Sequence, residues 1–499
     1  MDAMTTTAAP AIGGSFFKNT MTLLGGNIVA RIITFALAPV ITRLYGPQAF
    51  GVFAIVVSLA ELFIAVSSLR YNNAILLPEE KQDADTLVAL CLLLVLGTSF
   101  VSLAVFVGFQ SPIAALLNFE NQKLLLFVPA IVLIGGLQQV TDIWFLRLKK
   151  FNRLAVSKIS GATTDRISTI GAAFLLTNSP GGLVLGRIVG TVSSLAALFV
   201  AGLQPLKDLA KAASRERFRF LSRRYIVFPK FIEDAFVQRA SVQAPLLLLG
   251  AFFSPAAAGM YALTQRILGE PMTLIGDSLG RSFSQKASEH FRKGENMAPD
   301  AMRLYRYILL FIAGPMLILS FILADLFGIV FGAEWREAGD YVKLVLPVFV
   351  AVFAVRPMSI FYDLFEKQKE RLFHNTISLG VICCSFAAGY AAGSPNLALI
   401  LYAVSVTLLT LLRTGWLMAL AGSAWKDFWR ATVKDLLWPL CIVGSVLILQ
   451  TTPWSRYLII YCLAATLLYL AVIFRNDKVM WKQFKDYYHA GISKLKNSL

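Results

Sequence analysis

The chain is a succession of apolar runs, each about 20 residues long, set between short polar connections, and that rhythm limits what it can become. A run of this length crosses the hydrocarbon of a bilayer as a helix, because backbone N–H and C=O groups there must find partners within their own segment. The runs lie at 20–41, 49–69, 86–109, 124–146, 156–177, 182–203, 226–252, 256–282, 305–331, 341–362, 372–393, 396–420, 435–451 and 455–474. The expected fold is an all-α polytopic membrane protein of about 14 transmembrane helices. Composition agrees, since 15% of residues are charged against about a quarter in soluble domains.

The formal net charge of +17 is an orientation signal and not a nucleic-acid footprint, because the basic residues alternate loop by loop. Arg147, Lys149, Lys150 and Arg153 follow the fourth run. Arg215, Arg217, Arg219, Arg223 and Arg224 follow the sixth, Arg281, Lys286, Arg292 and Lys293 the eighth, and Lys426, Arg430 and Lys434 the twelfth. The intervening loops hold only Arg43, Lys123, Arg336 and Arg456. The positive-inside rule places the basic loops and both termini in the cytoplasm. The opposite loops are too short to house a catalytic domain. The five cysteines lie inside apolar runs, and His290, His374 and His489 are scattered, so neither disulfides, a metal site nor another cofactor is expected.

An internal repeat organises the spans. Arg31, Pro47, Gly51, Phe53 and Ala54 recur as Arg239, Pro255, Gly259, Tyr261 and Ala262, each pair 208 residues apart. Duplicated units with charges inside membrane spans are the usual build of secondary transporters. The expected organisation is a disordered cytoplasmic tail (1–14), an N-lobe of six spans (15–205), a basic inter-lobe linker (206–225) and a pseudo-symmetric C-lobe of six spans (226–420). The last two spans occupy 421–475, and a basic amphipathic tail suited to anionic lipid fills 476–499. Gly182, Gly186 and Gly190 form a small-residue ridge for close packing within one lobe.

Nine basic residues fall within spans or at their ends: Arg31, Arg166, Arg187, Lys230, Arg239, Arg266, Lys343, Arg356 and Arg413. At a helix centre each would cost roughly 2.5–3.5 kcal/mol. Lys230, Lys343 and Arg187 are close enough to span ends to snorkel. Arg31, Arg166, Arg239, Arg266 and Arg356 are too deep or too surrounded by polar residues for that. Local neighbours offer some compensation: Glu270 for Arg266, Asp165 for Arg166, and Gln243 with Asp234 or Glu233 for Arg239. Deep arginines still outnumber deep carboxylates, so both lobes are expected to line a common water-filled central cavity that binds an anion, with Asn27, Glu61 and Gln243 as sugar or counter-charge contacts. The guanidinium fork holds phosphate oxygens bidentately and keeps its charge when partly desolvated.

With those residues identified, the chain resembles the polysaccharide transporter branch of the multidrug/oligosaccharidyl-lipid/polysaccharide (MOP) exporter superfamily. The resemblance is carried by Lys18-Asn19 before the first span, by Arg43-Leu44-Tyr45-Gly46-Pro47 with Phe50-Gly51-Val52-Phe53-Ala54, by Leu69-Arg70-Tyr71 with Ala74-Ile75-Leu76-Leu77-Pro78, and by Arg147-Leu148 with Asn152-Arg153. It implies a flippase moving undecaprenyl-diphosphate-linked oligosaccharide (O-antigen, capsule or exopolysaccharide units) from the inner to the outer leaflet of a bacterial inner membrane. It further implies two six-helix lobes rocking around the cavity and diphosphate-binding arginines on spans one and eight, matched here by Arg31 and Arg266. The last two spans resemble the extra pair of the lipid II flippases. A monomer is expected, working among membrane lipids and other polysaccharide-assembly proteins, with H+ or Na+ as the candidate coupling ion. Two other readings remain: a cation-coupled multidrug exporter of the same superfamily, which calls for an acid-dominated cavity, and a membrane-embedded polymerase or ligase, which calls for a large extracytoplasmic loop.

Overall fold

The computed structural model describes residues 14–176, 178–200, 215–453 and 457–476. The expectations for the first thirteen residues, for the first part of the linker and for the amphipathic tail beyond 476 lie outside them. Among the described residues all regular structure is helical, an all-α polytopic chain. Twelve helical stretches are long and apolar enough to cross a membrane. Two more helices, Phe151–Leu175 and Pro255–Lys293, have the length, 25 and 39 residues. They fall short on apolarity because they carry Asp165 with Arg166 and Arg266 with Glu270 in their middles. Counted with the twelve, they give the expected 14.

The first unit, Met1–Ala262, opens with α1 (Gly14–Ala36) and α2 (Ala38–Leu44), one apolar run broken ahead of Pro39, whose ring cannot continue the preceding turn. Then come α3 (Pro47–Val66), α4 (Lys81–Gly108), α5 (Gln110–Leu116), α6 (Phe127–Arg147), α7 (Phe151–Leu175), α8 (Pro180–Phe199), α9 (Arg215–Arg224) and α10 (Ile232–Phe252). Helices α3 and α8 each start on a proline after an extended residue, Gly46 or Ser179, so the missing N–H falls where a helix start has no use for it. Inside the unit α1 packs on α7, α7 on α8, α4 on α6, and α6 on both α3 and α8. Helix α10 packs on α3 and so belongs with this unit by contact.

Small residues let these helices approach. A Cβ on Gly186 would lie 2.0 Å from the Thr169 hydroxyl and one on Gly190 2.5 Å from Asp165 Cβ, so the glycine ridge of α8 seats α7. Ser157 and Ser194, both buried, add a hydroxyl contact of 2.7 Å along that seam. Large apolar side chains point the other way: Phe100, Phe174 and Leu175 are exposed. That inversion is expected where lipid, not water, is the surrounding solvent.

The second unit, Leu263–Leu499, begins within α11 (Pro255–Lys293). The ninth run, expected as one span, is interrupted. It comprises α12 (Ala298–Ile308), a wide π-type turn at Leu309–Ala313, α13 (Gly314–Leu319), a tight turn at Ser320–Ile322 and α14 (Leu323–Phe331). Pro315 lacks the N–H that would close the ladder there, and the bulge absorbs the defect. Helices α15 (Arg336–Val355), α16 (Ile360–Leu364), α17 (Gln368–Ala391), α18 (Pro395–Leu420), α19 (Trp425–Gln450) and α20 (Leu458–Asn476) complete the chain. Here α14 packs on α15, α15 on α18, and α17 on α18. This repeats the pairings of the third with fourth, fourth with sixth and fifth with sixth spans of the first unit. The two extra helices, α19 and α20, both pack on α13.

Candidate functional site

Where Arg239 sits follows from the register of α10 against α3. Residues 239 and 243 are one turn apart on α10, and 58 and 61 nearly one turn apart on α3, so two side chains from each helix face one another. Arg239 Nη2 lies 3.3 Å from Glu61 Oε2. Ser58 donates its hydroxyl proton to Gln243 Oε1 at 3.2 Å. Gln243 is buried, while the Arg239 side chain keeps 42% of its surface exposed. Glu61, Arg239 and Gln243 therefore form one cluster. Its counter-charge is Glu61, not the nearby Asp234 or Glu233 that local spacing offered.

A second cluster lies along α11. Arg266, Glu270, Thr273 and Asp277 fall three or four residues apart and so share one helical stripe. Arg266 Nε stands 3.8 Å from Glu270 Oε1. Arg356, just past the end of α15, reaches Asp277 Oδ1 with Nη2 at 2.9 Å and Thr273 Oγ1 with Nη1 at 3.5 Å. Gly276 leaves room for that arm, since a Cβ there would come within 3.2 Å of Arg356 Cδ. Asp277 and Thr273 were not among the expected site residues; their spacing from Arg266 on the α11 stripe is the signal that could have found them.

The remaining expected residues lie elsewhere in the first unit. Asn27 and Arg31 are one turn apart on α1, both half-buried. Helix α1 is held close to α7 by Gly26, where a Cβ would meet Ala155 Cβ at 2.6 Å. On α7, Arg166 is buried, pairs with Asp165 at 3.2 Å and leaves its Nε without a hydrogen-bond partner. Of the expected anion-binding arginines, Arg166, Arg239, Arg266 and Arg356 each sit within 4 Å of a carboxylate. An anion reaching them must compete with that carboxylate, not simply fill a positive void.

The repeated motif meets its own copy. A Cβ on Gly51 would fall 1.6 Å from Pro255 O, and one on Gly259 2.1 Å from Pro47 O, so the start of α3 crosses the start of α11 backbone to backbone. Tyr45, buried ahead of the first copy, donates its hydroxyl proton to Thr169 O at 2.9 Å. A cavity of about 330 Å³ opens beside this turn, lined by Gln48, Ala49, Glu120, Asn121, Ser179 and Gly181 among others. None of the expected site residues lines it.

The motifs on the basic-loop side are structural braces. Leu69 and Arg70 take left-handed backbone, φ 48° and 63°, and end α3 in a sharp turn. Arg70 Nη1 donates to Phe231 O at 3.1 Å and Tyr71 Oη to Ser222 O at 2.8 Å. Arg147 donates to Ile75 O and Pro78 O at 3.1 and 2.5 Å, filling carbonyls the loop leaves open. Leu221 of α9 is fully buried against a core that includes Tyr71, Leu87 and Trp144.

Paired charges on polar stripes of long membrane helices, repeated pairings in two units, and two added helices define a multi-pass all-α membrane protein. Residues 40–340 match the family described as polysaccharide biosynthesis protein, and the chain belongs to that family. No curated protein sequence matches it. Among solved structures it is similar to the lipid II flippase MurJ in an inward closed conformation, with 15% identity over 90% of this chain and 99% of that one, TM-score 0.64. An inward-facing multidrug resistance MATE transporter of the MOP superfamily follows, with 13% identity over 81% and 96% and TM-score 0.54. A mutant of the Vibrio cholerae MATE transporter VcmN gives 14% identity over 83% and 96% and TM-score 0.51. At such identities the likeness is one of fold.

Proposed function

We propose that the protein is a flippase carrying undecaprenyl-diphosphate-linked oligosaccharide from the inner to the outer leaflet by alternating access. It would do so as a monomer in a bacterial inner membrane, with both termini cytoplasmic and other polysaccharide-assembly proteins as partners. The observation that carries the reading is the exposure of charge at membrane depth. Arg239 lies about 10 Å into α10, yet 42% of its side chain is open, as is 43% of Arg356. In hydrocarbon such exposure would cost roughly 2.5–3.5 kcal/mol per charge, so these faces belong against water and a polar substrate. The family match and the flippase likeness point the same way.

The geometry suggests how a diphosphate engages the site. Its oxygens replace a carboxylate on a guanidinium fork, Glu61 on Arg239 in the first unit or, as a separate contact in the second, Asp277 on Arg356, exchanging one anion for another. The displaced carboxylate is then free to take a proton or Na+, which is where a coupling ion would enter. Outward movement of the diphosphate down an inside-negative potential contributes about 2.3 kcal/mol per charge per 100 mV. No step requires chemistry on the sugar, so the reading is transport and not catalysis.

The test is to replace Arg31 and Arg239 singly by alanine and measure surface polysaccharide in a strain lacking its own flippase. Undiminished polysaccharide with both variants rejects the assigned roles. The paired carboxylates Glu61, Glu270 and Asp277 favour one rival, a cation-coupled multidrug exporter. Efflux of a cationic dye from vesicles holding the purified protein, unaffected by lipid-linked sugar, would establish that reading instead.

A further inference from the structure

Arg413 belongs to neither cluster above. It projects from α18 toward α17, at the ends of both helices that carry the basic loops. Its Nη1 donates to Asn375 Oδ1 at 3.2 Å, and its Cζ stands 5.2 Å over the Tyr362 ring. His374 Nδ1 lies 2.8 Å from Tyr362 Oη, and its ring packs against Trp416 with centroids 5.2 Å apart. Arg413 Nε is buried with no hydrogen-bond partner. Among the described residues no carboxylate comes within 4 Å of this guanidinium, whereas Arg166, Arg239, Arg266 and Arg356 each have one.

An amide oxygen and an aromatic face orient a guanidinium without neutralising it. A membrane-embedded cation left in that condition calls for an anion supplied from outside the chain. Position identifies the source. Asn375 is seven residues from Gln368 at the start of α17, and Arg413 seven from Leu420 at the end of α18, which sets both about 10 Å from the helix ends. A long side chain at that level reaches the headgroup layer. Nearby positive charges are already balanced, Lys367 by Glu370 at 3.0 Å and Arg371 by Asp363 at 3.0 Å. In the tautomer that accepts from Tyr362 at Nδ1, His374 carries its proton on Nε2 and offers a second donor.

We infer that the Arg413–Asn375–His374–Trp416 cluster is a binding site for the phosphate of a lipid headgroup in the leaflet facing the basic loops. The phosphate can come from a membrane phospholipid or from a polyprenyl diphosphate; the chemistry recognised is the same. The inference stands without the flippase reading, because it concerns binding and not movement.

Asn375→Asp tests it without removing the cation, since it sets a carboxylate at the position now 3.2 Å from Arg413. The full chain, purified in detergent, is titrated with cardiolipin and with farnesyl diphosphate, and bound adducts are counted by native mass spectrometry. Adducts of at least one probe should fall roughly five- to tenfold in Asn375→Asp and in Arg413→Gln, with part retained in Arg413→Lys. Loss confined to cardiolipin identifies a phospholipid site, and loss confined to farnesyl diphosphate identifies the isoprenoid headgroup. Asn375→Asp keeps its thermal stability in either case, which separates lost binding from lost folding. Unchanged adducts of both probes in Asn375→Asp would overturn the inference and make Arg413 a packing element.

Discussion

Two cross-helix ion pairs in this molecule use the same chemistry to opposite ends. Arg306 on α12 grips Asp435 on α19 with Nε at 2.6 Å and Nη2 at 2.9 Å, a two-pronged contact on a carboxylate only 4% exposed. Tyr305 beside it meets Thr432 at 3.1 Å and stacks on Phe428. Arg239 on α10 touches Glu61 on α3 once, at 3.3 Å, with both side chains partly open. The first pair is two-pronged on a buried carboxylate, although the Arg306 side chain itself keeps 43% of its surface open, and it fastens α19 to the interrupted ninth span. The second retains unused donors and access to water, so its partner is exchangeable. The two arginines are equally open, so it is the two-pronged geometry and the burial of the carboxylate that separate a clamp from a site.

The comparison can be broken in several ways. Arg306→Ala should have the largest effect on folding, lowering stability by about 3 kcal/mol because Asp435 stays buried without its counter-charge. Thermal unfolding of the purified protein reads it, and a shift near zero would place Arg306 with the exchangeable class. Gly51→Val should cost about 2 kcal/mol, since the helices at the α3–α11 crossing must separate to admit a side chain; the same melt measures it. Arg239→Ala should cut transport about tenfold, near 1.4 kcal/mol in barrier, while its melting temperature barely moves, as expected for a half-open pair. A leaflet-exchange assay in vesicles separates the two quantities. The smallest stability change, within about 0.5 kcal/mol, is expected for the charge swap Glu61→Arg with Arg239→Glu. If the swap also restores transport, the pair is merely structural and the distinction drawn here fails.

Much of the architecture could be read from the chain because membrane spans announce themselves by length and apolarity. The spans that resisted that rule were informative. Helices α7 and α11 are less apolar because they carry Arg166 and Arg266, which is why charge within a weak span marked candidate residues. The interruption at Leu309–Ala313 was not legible, since a proline in a membrane run reads the same whether the helix kinks, bulges or continues. Pro245, Pro271, Pro347 and Pro439 all lie inside unbroken helices. Partners close in sequence, such as Glu270 for Arg266, were found by helical spacing. Glu61 for Arg239 was not, because a contact across so many residues leaves no periodic trace.

The crossing of Pro47–Gly51 with Pro255–Gly259 has a consequence for how the two halves can drift apart. It is an isologous contact inside one polypeptide, with each copy presenting to the other the surface it receives. A change in either copy is felt at once by its twin, so neither can vary alone. The stretch under that mutual constraint is the one that spells itself twice in the sequence, at Pro47–Gly51 and at Pro255–Gly259.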